Sequence, residues 1–284
     1  MTKAILNADT DAESRIEAGS LQRGLSLLEV IQAAQRPLSA TDLAEITKYP
    51  LSTVHRLLQA LARTGYLSRD VSKRYFPGPK ALLPLDLYHP LNVLRRDARE
   101  HLRGLREQFR QTSSLIIFTG IERLVVELAV ENDSLSPYHA THLKSPLHGA
   151  ASGKLLLASL GTTERKLLLG PGPYAKHGPN TITDPDAFTQ ELETIRTRGF
   201  ATAIDENYAG LSAASAPIEA PGGAVIGCFC IAGMSTAFQP AVVHEAGQVL
   251  KLTADLFSIG STSVRALPLM LGVGTCDSTA GSFD

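Results

Sequence analysis

Five polar side chains spaced along residues 51–65 (LSTVHRLLQALARTG) carry the first chemistry legible in this chain. Val54, Leu57, Leu58 and Leu61 recur at i, i+3, i+4 and i+7, an apolar stripe down one side of a helix. Ser52, Thr53, His55, Arg56 and Gln59 are left on the other side. Hydroxyls, an amide and a guanidinium are the groups that pair with base edges and phosphates when a helix lies in a major groove. Gly65 closes the segment, as glycine does where the backbone turns left-handed. The pattern is that of the second half of a helix-turn-helix, and it implies binding to double-stranded DNA.

The flanking segments supply what such a helix needs to be held. Leu21 to Ala34 has helical spacing and stops before Arg36-Pro37. Ser39, three residues before Asp42, is an N-cap with a partner for the reciprocal bond, and it opens a short helix whose Leu43 and Ile46 are expected to point inward. Lys48-Tyr49-Pro50 makes the turn into the next helix. Beyond it, Tyr66-Leu67-Ser68 and Arg74-Tyr75-Phe76 read as the two strands of a wing, with Arg69, Lys73 and Arg74 about its tip as phosphate contacts. From Ser20 to Lys80 nine basic side chains face four acidic ones, a surplus of five. The whole chain carries −1, so a basic head is joined to an acidic remainder.

Three other constellations fall short of chemistry. Gly149-Ala150-Ala151-Ser152-Gly153-Lys154 has one residue too few between its glycines for a phosphate loop, and Leu155 replaces the magnesium-binding hydroxyl. His139, His142 and His148 could gather with Cys228 or Cys230 about zinc, but odd spacing on a strand sends His139 and His142 to opposite faces. No Gly-x-Ser-x-Gly elbow is present. No catalytic, metal or cofactor residues are therefore assigned. A small-molecule enzyme of unknown type remains the alternative, which turnover without DNA binding would support.

At 284 residues and 44% hydrophobic content the chain can hold two packed domains. No apolar run approaches membrane-spanning length, and the first twenty residues lack a signal-peptide core. Three cysteines are too few and too clustered for a disulfide framework. A reducing, cytoplasmic setting with no membrane partner is expected. Residues 1–19 read as a loose polar arm, and the Gly, Ser and Thr after Ala266 as a frayed tail.

Between wing and body, Pro84 and Pro90 bracket a short linker helix near Leu82 to His89, and a longer helix follows from about Leu91. Its Arg95, Arg96, Arg99, Arg103 and Arg106 are interleaved with Asp97, Glu100 and Glu107, which favours a solvated face over a second DNA contact. The remainder alternates strands and helices. Ser114–Thr119 with Arg123–Val130, and Ser212–Glu219 with Ala224–Ala232, read as hairpins, with Phe200–Ile204 a further strand. Helices are expected at Ala150–Leu160, Thr162–Leu169, Asp184–Arg198 and Ala241–Phe257. The class is α+β with an antiparallel sheet.

Four blocks in order carry a family resemblance: LQRGLSLLEVI with LSTVHRLLQALARTGYL, SPLHGAASGKLLLASL, NTITDPDAFTQELETIRTRGFA and DENYAGLSAASAPI. Together they resemble the IclR family of bacterial transcriptional regulators. The resemblance implies a winged helix-turn-helix at 20–80, a linker helix region at 81–97, a GAF-like effector-binding domain at 98–262 and a tail at 263–284. It also implies a small, often carboxylate-bearing effector and self-association as a dimer or dimer of dimers. Carried over by motif, effector contacts fall on Ala151, Ser152, Glu206, Ala213, Cys230 and Ala232. Ordinary core packing would use several of the same residues. Ala213, Cys230 and Ala232 offer little hydrogen bonding, which favours an effector with an apolar or aromatic body.

Overall fold

The structure, a computed structural model, describes residues 19–34, 36–82, 88–130, 143 and 145–271. The acidic arm, the tail beyond 271, His139, His142, Cys276 and most of the expected linker helix lie outside the described residues. The chain divides into two compact units, Met1–Asp86 and Leu87–Asp284.

In the first unit three helices, α1 (Ser20–Ala33), α2 (Ala40–Thr47) and α3 (Leu51–Arg63), precede a two-stranded ribbon of β1 (Leu67–Arg69) and β2 (Tyr75–Pro77) and a one-turn helix α4 (Pro79–Leu82). Ser39 and Asp42 form a complete capping box at α2, with the two side-chain bonds at 3.1 and 2.9 Å. The bonds from Ser39 hold the Asp42 carboxyl below its ordinary pKa. Lys48 then takes a left-handed conformation, and Pro50 caps α3. Leu27, Leu43, Val54 and Leu58 are fully buried at the centre of this unit, and Leu57 lies at its edge. Leu43 is inward as expected, but Ile46 is 54% exposed. It sits in the last turn of an eight-residue helix, outside the buried core of this unit.

In the second unit five antiparallel strands lie in the order β4-β3-β7-β6-β5: β3 (Thr112–Thr119), β4 (Glu122–Ala129), β5 (Ala201–Ile204), β6 (Leu211–Glu219) and β7 (Val225–Met234). Strand alternation sends Leu115, Ile117, Ala214, Ala216, Phe229 and Ile231 to one face. There they meet α5 (Pro90–Phe109), α9 (Pro240–Gly260) and α10 (Thr262–Leu271). Ile116, Phe118, Val125, Ala213, Cys228, Cys230 and Ala232 face the other way, against α6 (Ala151–Ser159) and α8 (Pro185–Arg198). The remaining helix of that layer, α7 (Thr162–Leu169), follows α6.

Two boundaries differ from the sequence expectation. Leu94 in α5 is fully buried in the core of the second unit, so that unit takes in residues assigned to a linker at 81–97. Val264 and Leu267 of α10 are also buried there, so the chain past 262 is not a frayed tail from its first residue. Arg95 and Arg99 are not simply solvated either, because both reach Glu127 on β4, at 3.4 and 3.3 Å.

Candidate functional site

The exposed side of α3 carries Ser52, His55, Arg56 and Gln59, with Thr53 half-buried beside them. Its opposite stripe is locked into the core, so the polar row is held rigidly outward. The wing turn is built by Asp70, whose carboxylate accepts from Arg74 N at 2.8 Å and whose carbonyl accepts from Lys73 N. Arg69, Lys73 and Arg74 are all exposed, and the Arg69 guanidinium stands 5.5 Å from the Tyr75 ring. The arrangement offers donors for base edges on a helix and cations for phosphate on a ribbon.

In the second unit the site is built where α6 begins against the sheet. Ala150 caps α6 in an extended conformation without a side-chain bond, so the first amides of the helix have no capping oxygen. Gly153 permits this start. A Cβ there would stand 2.2 Å from the Leu147 carbonyl oxygen, so only glycine lets the 147–149 turn lie on the helix. Ser152 is buried, and its Oγ accepts from Arg123 Nη1 at 3.2 Å. Arg123, on β4, is 3% exposed. Its Nη2 also donates to Leu143 O at 3.4 Å, to Ser145 Oγ at 3.3 Å and to Ser145 O. Leu143 N returns a bond to Arg123 O at 2.9 Å.

On the same sheet face as Arg123, beyond β3, lie Ala213, Cys230 and Ala232 of β6 and β7, which the sequence singled out, together with Ser215. Ala213 pairs with Ala232 in register, and Ser215 with Cys230. All four are buried on the same face as Ala151. Burial pushes the Cys230 thiol up to about 11, against hydrogen bonds from Ser215 and Ser114 and the field of Arg123, which act downward. Burial raises Cys228 as well. Both are therefore neutral thiols, small apolar wall rather than nucleophiles.

Glu206 does not join this group. Its carboxylate accepts from Lys154 Nζ at 2.8 Å, and Lys154, 1% exposed, also holds Glu191 at 3.1 Å. Arg198 Nη2 completes the cluster on Glu191 at 3.2 Å. Burial, opposed by Lys154, raises the Glu206 carboxyl above its ordinary pKa. Sequence reasoning missed Arg123 and Lys154. A partial signal for Arg123 was present, since it shares period-two parity with the apolar Val125, although Glu127 shares that parity too.

A winged helix-turn-helix with an outward polar row, carried by the same chain as a sheet domain covered by helices on both faces, defines a DNA-binding transcriptional regulator with a separate effector-binding domain. The family follows from comparison. Residues 20–71 match the IclR helix-turn-helix domain, and residues 89–259 match the family described as bacterial transcriptional regulator IclR C-terminal. The probable transcriptional regulator SauR of Cupriavidus necator is 30% identical over 201 residues, which cover 69% of this chain and 78% of that protein. The HTH-type transcriptional regulator BhcR of Paracoccus denitrificans is 30% identical over 200 residues, 70% of this chain and 71% of that one. Among solved structures, an IclR homologue from Microbacterium hydrocarbonoxydans complexed with 4-hydroxybenzoate superposes with a TM-score of 0.74 at 26% identity, covering 87% of this chain and all of that one. The chain belongs to the IclR family of bacterial transcriptional regulators. It is a regulator, not an enzyme. No helix among the described residues is long and apolar enough to cross a membrane.

Proposed function

We propose that this regulator acts in the cytoplasm as a symmetric dimer or dimer of dimers on a pseudo-palindromic operator, and that a small carboxylate with an apolar or aromatic body sets its occupancy. Two-fold symmetry in the protein calls for two half-sites about one helical turn apart. Ser52, Thr53, His55, Arg56 and Gln59 read base edges, while Arg69, Lys73 and Arg74 take phosphates. The effector lies over the start of α6, with Ala151, Ser152, Ala213, Cys230 and Ala232 around it and Arg123 supplying the opposite charge. Glu206 serves the site indirectly, by holding Lys154 and with it α6.

The observation that carries this reading is the buried Arg123 guanidinium donating to Ser152 Oγ beside the uncapped amides of α6. Fixed cations and free helix-start amides stabilise a carboxylate. The Ile116, Phe118, Val125 and Cys230 side chains around them would accommodate an apolar body. The complex of the Microbacterium relative with 4-hydroxybenzoate, an aromatic carboxylate, supports the same ligand class.

The test is operator release by matched aryl and alkyl carboxylates and their amides, on wild type and Ser152→Asp. A carboxylate should act where its amide does not. Ser152→Asp should bind operator normally and ignore the carboxylate, since a fixed negative charge then occupies the place of the ligand's own. An unchanged response in the variant would move the effector away from α6.

A further inference from the structure

Residues of α7 and α8 line an open cleft of about 660 Å³. That volume is within the range of small-molecule sites. Leu169 and Tyr174 contribute apolar surface over the buried Phe188 and Leu192, and the Tyr174 and Phe188 rings meet edge to face at 5.4 Å. Arg165 also lines the cleft and is only 8% exposed. Its Nη2 donates to Thr162 Oγ1 at 3.0 Å, while Nη1 is buried with no hydrogen-bond partner among the described residues. Arginine cannot shed its proton to relieve such a position, as a buried lysine can. A buried donor left unmade is costly, and it calls for a reason.

We propose that this cleft is a second ligand site, which takes a small monocarboxylate with an apolar body on the Arg165 fork, separate from the pocket of Arg123 and Ser152. The planar guanidinium matches a carboxylate through two parallel bonds, and a turn of the Arg165 side chain toward the cleft would bring the buried, unused Nη1 out as one of the two donors. The charges around the cleft select a single negative charge over a phosphate. Lys166 adds a cation at the exposed margin, but Asp186 and Glu193 line the cleft as well, so the charges cancel. Glu193 is itself held by Arg196 at 2.5 Å. Leu169 and Tyr174 give the body of the ligand an apolar wall to pack against.

Because both sites would take carboxylates, the experiment must report position. Crystals of the full chain soaked in 4-bromobenzoate locate each bound molecule by the anomalous signal of bromine, and calorimetry in solution counts the binding events. Bromine is expected in the cleft, with the carboxylate on Arg165, and two binding events in solution. Arg165→Gln should weaken the cleft event roughly tenfold to a hundredfold, the loss expected for a charge-assisted pair of bonds. The event at Ser152 should be unchanged. Thr189→Glu, on the exposed side of α8 and so harmless to the fold, should weaken the cleft event by repulsion and decides the matter if Arg165→Gln folds poorly. Conversely, Ser152→Asp should abolish the sheet-side event and spare the cleft, so a failure of one reading is visible apart from the other. No bromine in the cleft overturns the proposal. So does a cleft signal that neither variant changes, which would mean binding at crystal concentration only.

Discussion

Lys154→Met takes the charge out of the most enclosed ion cluster of the second unit. Lys154 is 1% exposed, and the Glu206 side chain it holds at 2.8 Å is 10% exposed. Methionine fills nearly the same volume, so the loss is electrostatic rather than a cavity. Glu191 keeps Arg198, but Glu206 is left with neither oxygen partnered by a charge, since its Oε2 already has no partner among the described residues. Breaking a buried pair from one side costs about 3–5 kcal/mol. A ceiling comes from the acid itself, which escapes by taking a proton. Holding a carboxyl of ordinary pKa 4.5 protonated at about pH 7.5 costs about 4 kcal/mol, and at about pH 5.5 only about 1.4 kcal/mol. The expected deficit is therefore about 3–4 kcal/mol near neutrality, shrinking to about 1.4 kcal/mol or less in mild acid. The sign agrees with the native protein, where burial raises Glu206. A raised acid binds its proton more tightly when folded, so its contribution to stability falls as pH rises through the window above 4.5. Urea unfolding of the full chain followed by circular dichroism at both pH values reads the deficit. Lys154→Met with Glu206→Gln should regain most of it. A deficit that does not depend on pH, or that Glu206→Gln fails to relieve, would refute the assignment of Glu206 as the orphaned charge.

Arg56→Ala should weaken operator binding by about 1–3 kcal/mol and relax specificity at one position per half-site, as gel shifts on operator and random DNA would show; an equal loss on both would make it a phosphate contact. Gly153→Ala should destabilise by about 1–3 kcal/mol, because its Cβ would meet the Leu147 carbonyl oxygen at 2.2 Å, and thermal unfolding measures this. Glu127→Gln releases Arg95 and Arg99 of α5; effector affinity by calorimetry should hold within a few-fold while the effector loses much of its influence on operator binding.

The head was legible because its signals are local. The stripe of Val54, Leu57 and Leu58, the Ser39–Asp42 box and the wing turn each lie within a few residues, and periodicity or capping reads them directly. Ile46 misled because the helical period was extended from the buried Leu43 into the last turn of α2, where the side chain lies outside the core. The sheet strands could be placed, but not what their charged residues do. Arg123 and Val125 face α6, while Glu127 faces α5, because a bulge between Leu115 and Ile116 in the pairing of β3 with β4 takes Val126 out of register. Alternation alone would put Arg123 and Glu127 on one face. The Lys154 cluster joins α6, α8 and the segment after β5, residues 37 and 52 positions away, and nothing in the spacing of any one segment announces it. The buried α10 was hidden for a different reason: Pro268 lies inside it, and the Gly, Ser and Thr that follow read as an unpacked end.

That bulge has a mechanical consequence. β4 is an edge strand of the sheet, laddered among the described residues to β3 alone, so it is less restrained against sliding than the strands inside the sheet. Near one end it grips the α6 layer through Arg123, and past the bulge it grips the opposite layer through Glu127. The side chains above and below the sheet are otherwise insulated from each other by a plane of hydrogen-bonded backbone. β4 is thus a rivet through that plane: its arginine is pinned to the helix on one side and, past the kink, its glutamate to two arginines of the helix on the other.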